Sequence, residues 1–147
     1  TTLIVGFPGE TEEDYGMLTD FVAENRFDRL GIFMYSKEDG TPAGKMQPQV
    51  PAAVKRARHR KLMKIQSRIS EQLNFERLGK EYRCLVEGVA DDGIFYFGRS
   101  YAEAPEIDGK IYFTSPEPLE IGQMVNVKIL DCDQYDLTGE VKDEFAK

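Results

Sequence analysis

Thr2-Leu3-Ile4-Val5-Gly6-Phe7-Pro8-Gly9-Glu10-Thr11-Glu12-Glu13-Asp14 is the stretch that decides how the first part of the chain folds. Leu3-Ile4-Val5 is a short, unbroken apolar run, the pattern of a strand buried on both faces. Gly6-Phe7-Pro8-Gly9 punctuates it as a turn. Thr11, with Asp14 three residues on, forms a capping-box pattern that opens a helix over 11–25. Tyr15, Leu18, Phe21 and Val22 share one face of that helix. Arg29-Leu30-Gly31-Ile32-Phe33-Met34-Tyr35 then reads as a second strand, and 36–44 as a loop rich in turn residues. A strand, a helix and a strand at this spacing make a right-handed parallel crossover. Sheets of that kind are covered on both faces, so two strands read as the tail of a larger α/β domain.

Moving outward, Pro51 suits the first turn of a long helix over 51–77. Val54, Leu62, Ile65, Ile69 and Leu73 form its apolar stripe. Lys55, Arg56, Arg58, Arg60, Lys61, Lys64 and Arg68 crowd the rest. That basic surface is either the solvated face of a linker or a nucleic-acid face. Strand patterns follow at 81–89, 94–99, 111–114, 124–130 and 137–141. Asp92-Gly93 and Asp108-Gly109 are hairpin signals between them. Five short strands in so few residues predict a small antiparallel β-barrel of OB-like size. The expected organisation is an α/β portion over 1–50, a linking helix over 51–77 and a β-barrel over 78–147.

The 147 residues are 41% hydrophobic, 31% charged and 11% aromatic, with a net charge of −7. That composition excludes a disordered tail. No stretch reaches the ~18 apolar residues of a membrane span. The chain opens without the basic segment of a signal peptide, and with two cysteines a reducing cytoplasm is the expected location. Two cysteines and one histidine do not make a four-ligand zinc site or an iron–sulfur site. The charge is uneven. Residues 1–77 hold 12 basic and 11 acidic groups, whereas 78–147 hold 7 and 15, a net of −8.

Few residues point to chemistry directly. The loop 6–11 joins a strand to a helix N-terminus, where phosphate can bind, but it carries no phosphate-loop pattern and reads first as a plain βα turn. His59 has no partner at catalytic spacing. Cys84 and Cys132 fall on strands and read as core residues. Asp131-Cys132-Asp133-Gln134-Tyr135-Asp136 lacks the glycine and closing glutamate of a calcium loop. The polar and aromatic segment Gly98-Arg99-Ser100-Tyr101-Ala102-Glu103-Ala104-Pro105-Glu106-Ile107-Asp108-Gly109 is the best binding candidate, because loops on a rigid β scaffold are common recognition surfaces.

These residues resemble a known family. The stretch 2–14, with 27–36 and Glu38-Asp39-Gly40-Thr41-Pro42-Ala43, looks like a late strand, loop and helix, then the next strand and loop, of the radical S-adenosylmethionine (TIM-type) barrel in methylthiotransferases. Residues 78–147 look like the TRAM β-barrel that ends these enzymes, and 98–109 are similar to the RimO-type branch. The resemblance implies an intact enzyme that uses S-adenosylmethionine and two [4Fe–4S] clusters to methylthiolate the β-carbon of an aspartate in a small-subunit ribosomal protein, protein twelve. It implies that Thr2, Gly6, Phe7 and Ser36 lie near S-adenosylmethionine, although Thr2 stands where an acidic residue is usual. It implies substrate recognition by Arg99, Ser100, Tyr101, Glu106 and Asp108. The cluster-binding C-x-x-x-C-x-x-C motif is absent. The chain is therefore expected to be a C-terminal piece that binds no metal, holds no catalytic residue and is inactive alone. Its part-covered strands are expected to self-associate.

Two other readings stand beside this one. A related enzyme of the same superfamily methylthiolates adenosine in tRNA, and a non-enzymatic TRAM-type module could bind ribosomal components or RNA. An RNA-binding barrel should be basic, whereas a net charge of −8 suits a Lys/Arg-rich ribosomal protein.

Overall fold

A computed structural model describes residues 1–105 and 108–142, so Glu106 lies outside the described residues. The chain divides into two compact units, Thr1–Ser70 and Glu71–Lys147.

The first unit holds β1 (Thr2–Val5), α1 (Glu12–Asn25), β2 (Gly31–Met34), α2 (Pro42–Lys45) and most of α3 (Ala52–Phe75). β1 and β2 are parallel, with Thr2 opposite Gly31 and Val5 opposite Met34. The capping box forms as the sequence predicts: Thr11 Oγ1 accepts from Asp14 N, and the Asp14 carboxylate accepts from Thr11 N. The single turn α2 begins inside the 36–44 segment expected to be loop and ends one residue past it. Thr41 caps it and Pro42 opens it, a start signal that the turn-rich composition masked.

One sheet face is covered and the other is not. Val5, Leu30 and Ile32 are buried, while Ile4 and Phe33, paired across the ladder, are 54% and 59% exposed. The expectation of poor cover therefore holds for one face only. On α3, Leu62 and Ile69 are buried as the apolar stripe requires. Arg58 is a correction. The sequence places it on the basic face of the helix, but it is 6% exposed. Its guanidinium reaches Glu10 Oε1 and Glu12 Oε1, each at 2.5 Å. The Glu10 side chain is itself only 10% exposed, whereas Glu12 is 81% exposed. Screening makes the Glu12 contact weak, so Glu10 is the partner that matters. This pair ties the β1–α1 loop to α3, with Tyr15 Oη donating to Arg58 O at 3.1 Å.

The second unit carries β3 (Glu81–Val89), β4 (Tyr96–Arg99), β5 (Ile111–Thr114), β6 (Met124–Cys132) and β7 (Leu137–Val141). They close into a barrel in the order β3-β4-β5-β7-β6. The predicted all-antiparallel barrel is corrected here, because β5 and β7 pair in parallel, Ile111 opposite Leu137 and Thr114 opposite Glu140. Local hairpin signals govern sequence neighbours, and this ladder joins strands that are not neighbours. Asp92-Gly93 does make a turn between β3 and β4: Asp92 Oδ1 accepts from Ile94 N and Phe95 N, and Gly93 has φ +68°.

The barrel core follows the period-2 pattern of its strands. Cys84 and Val86, Ile111 and Phe113, Val125, Val127 and Ile129, and Leu137 point inward. Burying each large aliphatic or aromatic side chain among these stabilises by about 1.5–3 kcal/mol. Close strand approach requires glycine at one point in particular. A Cβ at Gly98 would lie 2.0 Å from Leu85 O, next to the bulge between Val86 and Gly88.

Gly98→Ala should therefore cost about 2 kcal/mol or more, read as a lower urea midpoint for the barrel; an unchanged midpoint would refute the close approach. In the first unit, Arg58→Ala should cost about 3–5 kcal/mol by leaving Glu10 buried without this partner, seen as faster amide exchange in β1 and β2.

Candidate functional site

The second unit carries the larger of two depressions to consider. Leu85, in the middle of β3, is flanked by Arg99 of β4 and Met124 of β6 in the strand register. Cys84 and Val86 point into the core, so the intervening Leu85 faces outward. Around it, Glu81, Tyr82, Arg83, Arg99, Ser100, Tyr101 and Met124 line a groove of about 560 Å³. Three of the predicted recognition residues, Arg99, Ser100 and Tyr101, thus meet on one surface. Tyr82, Arg83, Leu85 and Met124 were missed. Their signal is cross-strand register, which no local pattern carries.

The groove is aromatic and guanidinium-rich rather than acidic. Tyr101 is 89% exposed, and its ring centroid lies 6.4 Å from that of Tyr82. Arg99 is ion-paired with Glu87. Arg83 is exposed, and Glu81 faces Lys142 at 3.6 Å. The acids responsible for the net charge of this unit stand elsewhere, at turns such as Asp91-Asp92 and on Glu117, Glu120, Asp131 and Asp133, all exposed. Asp108 does not line the groove. Its carboxylate accepts from Ala104 N at 2.7 Å and so shapes the loop.

Behind Tyr101 lies a buried polar cluster. Arg77 Nη1 meets Glu103 Oε1 at 2.5 Å, their side chains 10% and 2% exposed. Glu103 Oε2 accepts from Ser100 N at 2.9 Å and from Ser100 Oγ at 2.6 Å. Burial opposes ionisation of Glu103, but the hydrogen bonds from Ser100 and the Arg77 guanidinium outweigh it and hold its carboxyl below the ordinary value of 4.5. Burial, with the Glu103 charge nearby, pushes the Cys84 thiol up to about 12. Burial also raises Cys132, with Asp131 and Asp133 adding to it. Both cysteines are therefore poor thiolate donors, as core residues should be. Among the described residues, no three His, Cys, Asp or Glu side chains are grouped to hold a metal ion.

In the first unit, Gly6, Phe7 and Ser36 gather at the carboxyl end of the parallel pair. Phe7 packs edge-on against Tyr35 at 5.2 Å, and Lys55 Nζ donates to Tyr35 O at 2.8 Å. The Lys55 stem lies where a Cβ on Gly6 would stand, 2.2 Å from its Cγ, and Gly6 has φ +73°. Met34, Tyr35, Ser36, Lys37, Ala52, Lys55 and Arg56 line a depression of about 310 Å³ there. Thr2 is not brought into this group. It starts β1, opposite Gly31, and so sits at the other end of the ladder, about 10 Å along the strand from Val5. His59 Nε2 lies 2.9 Å from Ile32 O. No helix among the described residues is long and apolar enough to cross a membrane.

The depressed acidity of Glu103 has a consequence for pH. A carboxyl with a lowered folded-state pKa adds stability that is fully present above its ordinary value and lost as pH falls through the lowered one. The barrel should lose stability from about pH 4.5 downward, and Glu103→Gln should flatten that slope in acid denaturation curves while lowering stability at pH 7. An identical acid slope in the variant would show that Glu103 does not ionise as its partners require.

Residues 78–141 match the TRAM domain family. Over all 147 residues the chain is 56% identical to a ribosomal protein uS12 methylthiotransferase RimO of Acetivibrio thermocellus. It is 45% and 47% identical to proteins of the same name from the Loch Maree and Eklund 17B strains of Clostridium botulinum. The whole chain is covered in each case, but it spans about a third (32–33%) of the length of these relatives. The chain is thus RimO-like along its entire length, with a TRAM domain in its second unit.

Proposed function

We propose that the protein to which this sequence belongs methylthiolates the β-carbon of an aspartate in ribosomal protein uS12, and that the TRAM barrel recognises that substrate. The observation that carries the recognition role is the meeting of Arg99, Ser100 and Tyr101 with Tyr82, Arg83 and Met124 around one groove, in a chain 56% identical to a relative named for uS12. Tyrosine and arginine are the side chains that most often anchor protein interfaces. The net charge of −8 over 78–147 favours approach of a basic protein at long range.

The first unit fits two strands of a larger parallel barrel. Its buried sheet-face residues are Val5 and Ile32, and its apolar residues Ile4 and Phe33 stay exposed on the other face. The same uncovered face is where copies of this chain would pair. Functional residues of such barrels lie at the carboxyl ends of strands, which supports Gly6, Phe7 and Ser36, and not Thr2, as residues near S-adenosylmethionine. When bound in the whole enzyme, S-adenosylmethionine and the [4Fe–4S] clusters would supply the radical chemistry and the methyl group. The residues here do not fit a cluster: Cys84 is fully buried with its thiol raised, and Cys132 is raised too. This chain's own contribution is binding and orientation, and its expected location is the cytoplasm.

One observation favours a second reading. Arg56, Arg60, Lys61, Lys64 and Arg68 of α3 are all exposed, a basic stripe suited to RNA phosphate, so the substrate would be tRNA adenosine. Titrating the chain with purified uS12 and with bulk tRNA at two salt concentrations separates the two. The uS12 reading expects saturable binding to the protein, weakened about tenfold by Arg99→Ala. Binding to tRNA alone, with a steep salt slope, would establish the tRNA-modifying reading instead.

A further inference from the structure

Tyr101 presents a contradiction in exposure. It is 89% exposed, yet Ser100 before it and Glu103 two residues after it are each 6% exposed. An aromatic ring left in water gains nothing for the fold. The residues on either side are nevertheless held by more polar contacts than a connector needs. Glu103 takes both the backbone N–H and the hydroxyl of Ser100 on Oε2, and Arg77 on Oε1. Ser100 Oγ in turn accepts from Ala102 N at 3.3 Å. The backbone on both sides of Tyr101 is thereby fixed by one buried carboxylate.

Arg77 also works in a second direction. Its guanidinium carbon lies 5.2 Å from the centroid of the Tyr82 ring, the ring nearest Tyr101 in the groove. A single guanidinium therefore joins the loop that carries one tyrosine to the ring of the other. Arginine suits this place because its planar fork can hold a carboxylate while its face stacks on an aromatic ring. Ordering a loop before binding removes an entropic cost from association. That is a use for a buried ion pair where packed apolar residues would stabilise as well.

We infer that Arg77, Ser100 and Glu103 are positioning residues that hold Tyr101 beside Tyr82 as a preformed two-ring contact for the protein substrate. This rests on the groove being the recognition site proposed above. Tyr101 would be the specificity contact, and Glu103 would act only through it.

The test is a double-mutant cycle on the full chain with purified uS12 as the probe, joined to amide relaxation of Tyr101. Tyr101→Ala should weaken binding about tenfold without moving the thermal midpoint. Ser100→Ala and Glu103→Gln should each weaken binding several-fold and raise the mobility of the Tyr101 amide. In the Tyr101→Ala background, neither should weaken binding further, since the ring they position is gone. Ser100→Ala leaves both members of the ion pair in place, so it keeps the test sound if Glu103→Gln does not fold. Binding by the parent chain that Tyr101→Ala weakens but Ser100→Ala and Glu103→Gln leave unchanged would overturn the positioning role alone. A Tyr101 amide already as mobile in the parent chain as in Ser100→Ala would do the same. Absence of any uS12 binding by the parent chain would instead overturn the recognition reading on which the inference stands.

Discussion

The parallel ladder between β5 and β7 is the constraint on which the second unit depends. It joins the β3-β4-β5 meander to the β6-β7 pair, and β6 returns to β3 to close the ring. Closure removes exposed sheet edges, which are otherwise sites of aggregation. It also forces the strands into tight curvature. The register shifts between Val86 and Gly88 and between Ile129 and Asp131 are where that curvature is taken up. Gly98 and Gly139 sit where the backbone of the neighbouring strand leaves no room for a Cβ. Once the ring is shut, Arg99 and Met124 must flank Leu85, and the groove follows from the register rather than from any single loop.

Two arginines that look alike in sequence show how burial redistributes charge. Arg58 lies in a basic run that reads as a solvated or nucleic-acid face, and Arg77 stands at the predicted end of the helix, with no local signal of burial for either. Each is instead buried and bonded to a glutamate. Such pairs stabilise little compared with apolar packing, but breaking one is costly. Their value is in specifying an arrangement. Arg58 fixes where the β1–α1 loop meets α3, and Arg77 fixes where the loop after β4 meets β3. Both tie down a loop whose backbone carries the candidate functional residues.

Much of this was legible in the sequence, and the rest was hidden for physical reasons. The capping box at Thr11, the bounds of β3, β5 and β7, and the turn at Asp92-Gly93 rest on local signals, and the structure keeps them. Arg99, Ser100 and Tyr101 were marked by composition and by resemblance, and they do lie together. Thr2 was grouped with Ser36 by resemblance, but a parallel ladder of four residues separates a strand's start from its neighbour's end. Tyr82, Arg83 and Met124 were invisible because the register that brings them to the groove spans long stretches of chain. The parallel pairing of β5 with β7 was hidden for the same reason, as was the inward turn of Arg58, whose partner Glu10 is 48 residues away.

The acidity of the barrel and the chemistry of its groove then have separate roles. A net charge of −8 over 78–147 acts at long range and is screened within about 8–10 Å at ordinary ionic strength. It can draw a basic partner in, but it cannot tell one basic protein from another. Discrimination needs contacts at short range, and the groove supplies tyrosine rings, a methionine and guanidinium groups instead of more carboxylates. Arg99 is held by Glu87, so its charge is largely spent within the barrel and its planar face and donors are what it offers. An acidic surface with a locally aromatic, arginine-bearing groove therefore suits the basic protein substrate proposed above, whereas charge alone would point to the exposed aspartates instead of the groove.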